Sequence, residues 1–107
     1  MEYSFTDRRL ARAVGSEARL RREYGKERAM KLSQRLAALR AAETAADLAM
    51  MPGRFHQLTG DRKGQLSLDL DGPYRLIFEP DKAESDDGEI DLASVCSVVI
   101  CEIVDYH

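Results

Sequence analysis

The period of the hydrophobic pattern changes partway along the chain, and this change most strongly constrains the fold. Between Lys26 and Ala42, apolar residues recur every three or four positions, which predicts one amphipathic helix. From Leu66 onward, apolar and polar residues alternate, which predicts half-buried strands. Helices followed by a meander of strands indicate the α+β class, with N-terminal helices packed on a small, mainly antiparallel, twisted sheet.

The first 25 residues predict a short strand and two short helical segments. Tyr3–Phe5 has the character of an opening strand. Thr6 is expected to cap a helix that runs to Val14, with Asp7 favouring its positive N-terminal end and Gly15 stopping it. A short helical turn is expected over Ser16–Glu23.

The segment between the long helix and the strands contains a second helix signal. Thr44 and Asp47 have the spacing of a capping box, in which a hydroxyl residue is followed three positions later by an acidic one. The pattern predicts a short helix through Met50 that ends before Pro52-Gly53.

Three strands are predicted in the second half. Two of them, Leu66–Leu70 and Tyr74–Phe78, flank an Asp-Gly-Pro turn and should form an antiparallel hairpin. The third, Val95–Val104, is apolar on both faces and is expected to be central. The acidic residues of Glu79–Asp91 are expected to form an exposed loop. Helices over Asp7–Met50 would cover one sheet face and leave the other as a free, concave surface.

Length, charge and hydropathy limit the class of protein. The 107 residues predict a single domain covering 1–107. No apolar run approaches the roughly 20 residues of a membrane helix, and the N-terminus lacks the features of a signal peptide, so we expect a cytoplasmic protein. Residues 1–40 carry a net charge of +6 and residues 41–107 a net charge of −9, giving −3 overall. The basic half is able to face an anionic partner, although a solvated helix surface explains it equally well.

Two cysteines, Cys96 and Cys101, lie in the last apolar segment. Five residues apart on a strand, their side chains point to opposite faces and cannot form a disulfide there. No second pair of cysteines or histidines stands at zinc-binding spacing. We therefore expect both cysteines to be reduced packing residues.

A cationic segment precedes the predicted hairpin. It contains four side chains that can bind or protonate phosphate: Arg54, His56, Arg62 and Lys63. Gly60 and Gly64 bracket the last two, and such a loop can hold a phosphate, although the Gly-Lys-Ser/Thr ending of a P-loop is missing. Composition alone favours a basic surface turn over a phosphate site.

The sequence closes on three polar residues, Asp105-Tyr106-His107, directly after an apolar strand. The terminal carboxylate would favour the protonated imidazole of His107. Tyr106 offers a phenol, and Asp105 is able to orient a neighbouring group. Taken alone, the triplet favours the interpretation of a frayed chain end.

Taken in order, these motifs resemble the HigB branch of the RelE toxin superfamily. The resemblance rests on the following residues, which cover about 52–107: His56, Leu58, Gly60-Asp61-Arg62-Lys63-Gly64, Ser67, Arg75 and Asp105-Tyr106-His107. It implies a compact fold of helices on an antiparallel sheet. It also implies a ribonuclease that needs no metal or other cofactor and cuts mRNA, commonly in the ribosomal A site.

The resemblance further implies that the terminal triplet and the loop histidine belong to the active region. Metal-free cleavage of RNA requires a base for the 2′-OH, an acid for the leaving oxygen and cations for the charge on phosphorus. His56 and His107 are the acid and base candidates, with Tyr106 stacking on a base or binding phosphate and Asp105 positioning a neighbour. The expected substrate-binding residues are Arg54, Arg62, Lys63 and Arg75.

Several positions depart from the pattern of this branch. Asp69 and Asp71 lie on the predicted hairpin where relatives carry basic and amide residues, and Tyr74 replaces a tryptophan. Together with the acidic insertion Glu84–Asp91, these carboxylates are expected to repel free RNA. This is compatible with cutting that depends on the ribosome, or with a weakened toxin.

Two alternative functions and the identity of the partner stay open. The same superfamily includes ParE-like toxins, which inhibit DNA gyrase and cut nothing, and an inactive homologue would serve only as an antitoxin partner. The paired acid and base candidates favour the nuclease branch. The resemblance implies a helix-turn-helix antitoxin, HigA-like and encoded nearby, and either a homodimer or a heterotetramer with it.

Overall fold

A computed structural model describes residues 1–81 and 89–106. Within these residues, three α-helices follow a first strand, and four more strands follow the helices. The helices are α1 (Arg8–Val14), α2 (Glu17–Tyr24) and α3 (Lys26–Ala41). The strands are β1 (Glu2–Phe5), β2 (His56–Gln57), β3 (Leu66–Asp69), β4 (Tyr74–Pro80) and β5 (Ser97–Asp105).

The strands form one sheet in the order β1-β5-β4-β3-β2. Neighbouring strands are antiparallel except β1 and β5, which are parallel, with Glu2 opposite Ser97. The predicted α+β fold with a mainly antiparallel sheet is confirmed, as is the β3–β4 hairpin. β5 is an interior strand as expected, but β4 occupies the middle of the sheet. The opening strand was predicted as β1, but neither its parallel pairing with β5 nor the two-residue strand β2 was predicted.

The helices cover one face of this sheet. Ala29, Leu32, Leu36 and Leu39 of α3 are buried, which confirms the predicted apolar stripe. They join a core to which the sheet contributes Leu66, Leu68, Leu76, Phe78, Val98 and Ile100, all fully buried. Burying each large side chain contributes about 1.5–3 kcal/mol, so this layer supplies most of the stabilisation.

The start of α1 differs from the prediction. Asp7, not Thr6, is the N-cap, and its carboxylate accepts hydrogen bonds from the backbone N–H groups of Arg9 (2.9 Å) and Leu10 (3.1 Å). Thr6 instead continues the hydrogen bonding of β1 with β5, because its backbone N–H donates to Ile100 O at 3.0 Å. The carboxylate suits this position because it also interacts favourably with the positive end of the helix.

The predicted capping box at Thr44 is confirmed, but it begins a 3₁₀ helix, Ala45–Met50. The Asp47 carboxylate accepts from the backbone N–H groups of Glu43 (2.9 Å) and Thr44 (3.5 Å). The predicted acidic loop is shorter than expected at its start, because β4 continues to Pro80. Residues 82–88, which include most of the acidic insertion, lie outside the described residues.

The cysteines are free, as expected, but they are not both packing residues. Cys96 is exposed ahead of β5. Cys101 is partly buried at a bulge, since Ile100 pairs with Phe78 and Glu102 pairs with Ile77, which leaves Cys101 as the extra residue. Among the described residues, no helix is long and apolar enough to cross a membrane.

Candidate functional site

The sheet face opposite the helices, here called the open face, carries the candidate site. Strand pairing aligns His56, Ser67, Ile77 and Glu102 in one row across β2, β3, β4 and β5. The next row contains Asp69, Arg75 and Val104. Because paired residues share a face and side chains alternate along a strand, both rows project away from the helix-covered core.

Four residues from three separate chain segments meet at one end of this face and form what we call the Asp69 cluster: Arg54, Asp69, Arg75 and Tyr106. Arg75 Nε lies 3.2 Å from Asp69 Oδ1, and Arg54 Nε lies 3.8 Å from Asp69 Oδ2. The Arg75 guanidinium stands over the Tyr106 ring, 4.7 Å from its centroid. Asp69 therefore lies between two guanidinium groups, one of which also stacks on an aromatic ring.

The backbone that carries Arg54 is strained. Arg54 has φ of 50°, in the left-handed region that residues with a Cβ avoid, and the preceding Gly53 has φ of 122°. A Cβ at Gly53 would lie 2.9 Å from Arg35 Nε, so only glycine fits there without a shift. Arg35 Nε and Gly53 O in turn bind the backbone O and N–H of Asp69, each at 2.7 Å. These contacts fix Arg54 and Asp69 relative to each other.

Arg62 crosses the open face from the other side. Its Nη1 donates to Gln65 Oε1 at 2.9 Å and to Glu102 Oε2 at 3.3 Å. Arg62 comes from the loop between β2 and β3 and reaches Glu102 on β5, and Ser67 and Ile77, which lie in the same row as Glu102, are fully buried. The expectation of a wholly free surface is therefore wrong for this row. The buried Ser67 Oγ has no hydrogen-bond partner among the described residues.

Among the described residues, His56 and Lys63 form no ion pair or side-chain hydrogen bond with the four residues of the Asp69 cluster. His56 is exposed on the edge strand, and strand spacing and rise separate its Cα from that of Tyr106 by roughly 20 Å. Lys63 is exposed and lines a cavity of about 540 Å³ formed by Gln57, Leu58, Thr59, Gly60, Gly64, Gln65, Glu89 and Ile90. The structure thus brings together Arg54, Arg75 and Tyr106 around Asp69. Within the part of the chain that it describes, His56, although only two residues from Arg54, and Lys63 form no ion pair with them.

The end of β5 is held in place. The Tyr106 N–H donates to Pro73 O at 2.8 Å, which fastens the last described residue to the β3–β4 turn. Tyr106 is half-buried, and Asp105 is exposed beside it. His107 lies outside the described residues, so its predicted role remains a prediction.

Asp71 takes a different position from the one expected. Rather than lying along a phosphate path, it forms a bidentate ion pair with Arg28 of α3, with Nε–Oδ1 at 3.0 Å and Nη2–Oδ2 at 3.2 Å. The Arg28 guanidinium also covers the Tyr74 ring, 3.3 Å from its centroid. The expected repulsion of RNA by Asp71 is thus offset by a cation on the helix side, and Tyr74 packs there instead of facing the open side.

Burial changes the chemistry of Cys101. Desolvation, assisted by the nearby carboxylates of Glu79 and Glu102, raises the pKa of its thiol from 9.0 to about 11. The thiol therefore remains protonated at physiological pH and is a poor nucleophile. Among the residues that the structure describes, no group of three His, Cys, Asp or Glu side chains is placed to hold a metal ion.

Sequence reasoning missed Glu102 and gave Asp69 only a repulsive role. The sequence signal for Glu102 was available, since it is the one charged residue inside the apolar segment Val95–Val104. A lone charge in a sheet strand indicates the face turned away from the core. Its pairing with Arg62 was not predictable, because it depends on how the 58–65 loop folds over the sheet.

A comparison with known families agrees with this architecture. The model described as the RelE-like toxin of the type II toxin–antitoxin system HigB matches residues 3–92, from β1 to the residues just ahead of β5. No curated protein matches the chain. The family match covers well over half of the sequence, although it ends before Asp105 and Tyr106. The chain belongs to the HigB-like family of RelE-like type II toxins, and it is therefore the toxin member of a pair that includes an antitoxin.

Proposed function

We propose that this toxin is an endoribonuclease that cleaves mRNA on the ribosome and so stops translation. The observation that carries the proposal is the Asp69 cluster, in which two arginines and a tyrosine from distant segments meet on the open face. Guanidinium groups bind phosphate oxygens in a fixed geometry, and an exposed aromatic ring can stack on an unpaired base.

The proposed reaction begins with attack of a ribose 2′-OH on the adjacent phosphorus. The P–O5′ bond breaks, and a 2′,3′-cyclic phosphate and a 5′-OH result. Arg75 and Arg54 would offset the charge that develops on the phosphoryl oxygens. A base must take the 2′-OH proton and an acid must supply one to O5′. We assign this transfer to His107 together with Asp105 and Tyr106.

The distance from His56 to the Tyr106 end of β5 argues for a different role for this histidine. A catalytic acid or base must come within hydrogen-bond reach of the reacting oxygen. With a backbone separation of roughly 20 Å, estimated from strand spacing, His56 is better suited to contact a nucleotide farther along the same mRNA. Lys63, exposed on the neighbouring loop, would bind phosphate there.

Mapping of mRNA 5′-ends after induced expression tests this function. We expect new ends inside translated messages, and their disappearance when translation initiation is blocked. His107→Ala and Tyr106→Ala should abolish the cuts, whereas His56→Ala should weaken them. Persistent cutting in both terminal variants would contradict the assignment of the site.

The same experiment separates the alternatives. Intact mRNA with inhibited DNA supercoiling would select the gyrase inhibitor, and unchanged growth and mRNA without the antitoxin would select an inactive partner protein. We further propose that the antitoxin is a helix-turn-helix protein encoded nearby. Co-purification of that neighbour with the tagged toxin tests the pairing, and recovery of the toxin alone would contradict it.

A further inference from the structure

Three of the four cations predicted to bind substrate already contact carboxylates of the same chain. Arg75 and Arg54 contact Asp69, and Arg62 contacts Glu102. The two carboxylates thus occupy positions next to the guanidinium groups that an RNA phosphate would need. These ion pairs differ from the other surface ion pairs of the protein in two ways. Both acidic residues lie on the open face, and both contact arginines that are predicted to bind substrate.

The position of Asp69 is set by the backbone around it. Its N–H donates to Gly53 O and its carbonyl accepts from Arg35 Nε, both at 2.7 Å. These bonds do not involve the side chain, so the carboxylate is placed between Arg54 and Arg75 by the scaffold. Yet its Oδ1 is buried without a hydrogen-bond partner among the described residues, although Arg75 Nε is only 3.2 Å away. The charges are close, but their alignment is poor.

Glu102 is placed in a comparable way. It is held in the middle of the antiparallel pairing of β5 with β4, opposite Ile77. Arg62 reaches it at 3.3 Å while also binding Gln65 at 2.9 Å. The Arg62–Glu102 pair is substantially solvated, with 34% and 46% of the side chains exposed, so a competing anion has access to it.

We propose that Asp69 and Glu102 determine substrate selectivity by occupying the phosphate-binding arginines until RNA phosphates displace them. This inference rests on the proposed function, since it assumes that Arg54, Arg62 and Arg75 bind RNA. A single flexible strand gains little from displacing both carboxylates and also meets their negative charge. An mRNA that is already held in place presents several phosphates without a further ordering cost, and it can compete successfully.

Direct binding measurements test this selectivity role. Asp69→Asn and Glu102→Gln remove one negative charge each with almost no change in shape. The probe is a short, fluorescein-labelled, single-stranded RNA with 2′-O-methyl groups, which prevents cleavage, and the readout is fluorescence anisotropy at low ionic strength. Releasing an exposed or partly exposed ion pair should tighten RNA binding by about fivefold per variant.

Glu17→Gln is the matched control. Glu17 pairs with Arg21 on α2 at 3.6 Å, so this change also removes one negative charge and frees one arginine, but on the helix side. We expect its RNA affinity to stay near that of the wild type. The double variant of Asp69 and Glu102 should bind RNA more tightly than either single variant, and its affinity should fall more steeply with salt, because more cations reach phosphates.

Circular dichroism melting curves establish that each variant is folded. Should Asp69→Asn fail to fold, Glu102→Gln alone carries the test. Unchanged or weaker RNA binding in the folded variants, or an equal gain in Glu17→Gln, would overturn the proposal. Tighter binding without any mRNA cleavage in cells would uphold the carboxylate role and contradict the nuclease function. Cleavage in cells with unaltered RNA binding in the variants would support the nuclease function and contradict the carboxylate role.

Discussion

At the β3–β4 hairpin, an aspartate, an arginine and a tyrosine meet on each side of the sheet, and the open side has Arg54 as a second arginine. On the helix side, Arg28 binds Asp71 through two aligned hydrogen bonds and covers Tyr74. On the open side, Arg75 contacts Asp69 through one misaligned approach and stands over Tyr106.

The difference between the two groups shows how geometry separates a structural role from a binding role. The bidentate Arg28 uses its Nε and Nη2 donors on Asp71 and covers the Tyr74 ring, so it is less available to a ligand. The open-side carboxylate is shared with Arg54 at 3.8 Å, and the guanidinium groups retain donors for another anion. The same residue types therefore hold the turn against α3 on the helix side. On the open side, they leave arginines that can exchange Asp69 for another anion.

The largest expected effect follows from removal of the open-side arginine. Arg75→Ala should lower the rate of mRNA cleavage about 100-fold, which is typical of losing one group that stabilises transition-state charge. Its melting temperature should fall less than that of Arg28→Ala, because Asp69 keeps Arg54 as a neighbouring cation at 3.8 Å. Single-turnover cleavage of a ribosome-bound message and a thermal melt measure the two quantities. A large loss of stability with unchanged cleavage would show that Arg75 has a structural role rather than a binding role.

Removal of the helix-side arginine should have the opposite pattern. Arg28→Ala leaves Asp71, whose side chain is only 15% exposed, without its partner and uncovers Tyr74. We expect a loss of about 2 kcal/mol in the free energy of unfolding, seen as a fall of about 10 °C in melting temperature. RNA binding by the protein that remains folded should match that of the wild type. Weaker RNA binding at full stability would contradict the structural role.

The smallest effect concerns the strained backbone beside the open-side group. Arg54→Gly removes the steric cost of a left-handed residue, and we expect a gain of about 0.5–1 kcal/mol in stability. RNA affinity should decrease, because a predicted phosphate contact is lost. Urea denaturation and anisotropy test both changes, with Arg21→Gly as a control in which glycine replaces an exposed residue of α2 and should only destabilise. A loss of stability in Arg54→Gly would argue against strain at this position.

The sequence predicted the elements better than it predicted the contacts between them. The periods of three to four and of two correctly indicate α3, β3, β4 and β5, because burial of one face enforces those periods. The parallel pairing of β1 with β5 was not predicted, since four residues carry no signal for a distant partner. Asp7 replaced Thr6 as the cap because the adjacent sheet used the threonine backbone.

For the candidate site, residue type predicted which cations could bind phosphate, but it did not predict which carboxylates they would contact. Arg54, Arg75 and Tyr106 do meet, although the sequence gave no reason why His56 should lie so far from Tyr106. That separation arises from the strand order, which puts the histidine on the outer strand β2. Asp69 and Asp71 looked equivalent in the sequence. Asp69 ends β3 and contacts Arg75 on the open face, whereas Asp71 lies in the turn and pairs with Arg28 of α3.

The pairing of Glu2–Phe5 with Ser97–Ile100 has a consequence for how the toxin is made. A ribosome releases the first of these segments long before the second, so β1 must wait until the residues up to Ile100 have been synthesised. Contacts between such distant segments form slowly, because a large loop must be closed first. The same late strand leads into Tyr106, so the candidate site can assemble only after β5 has joined the sheet. We therefore expect a nascent chain to lack the assembled candidate site until β5 has left the ribosome.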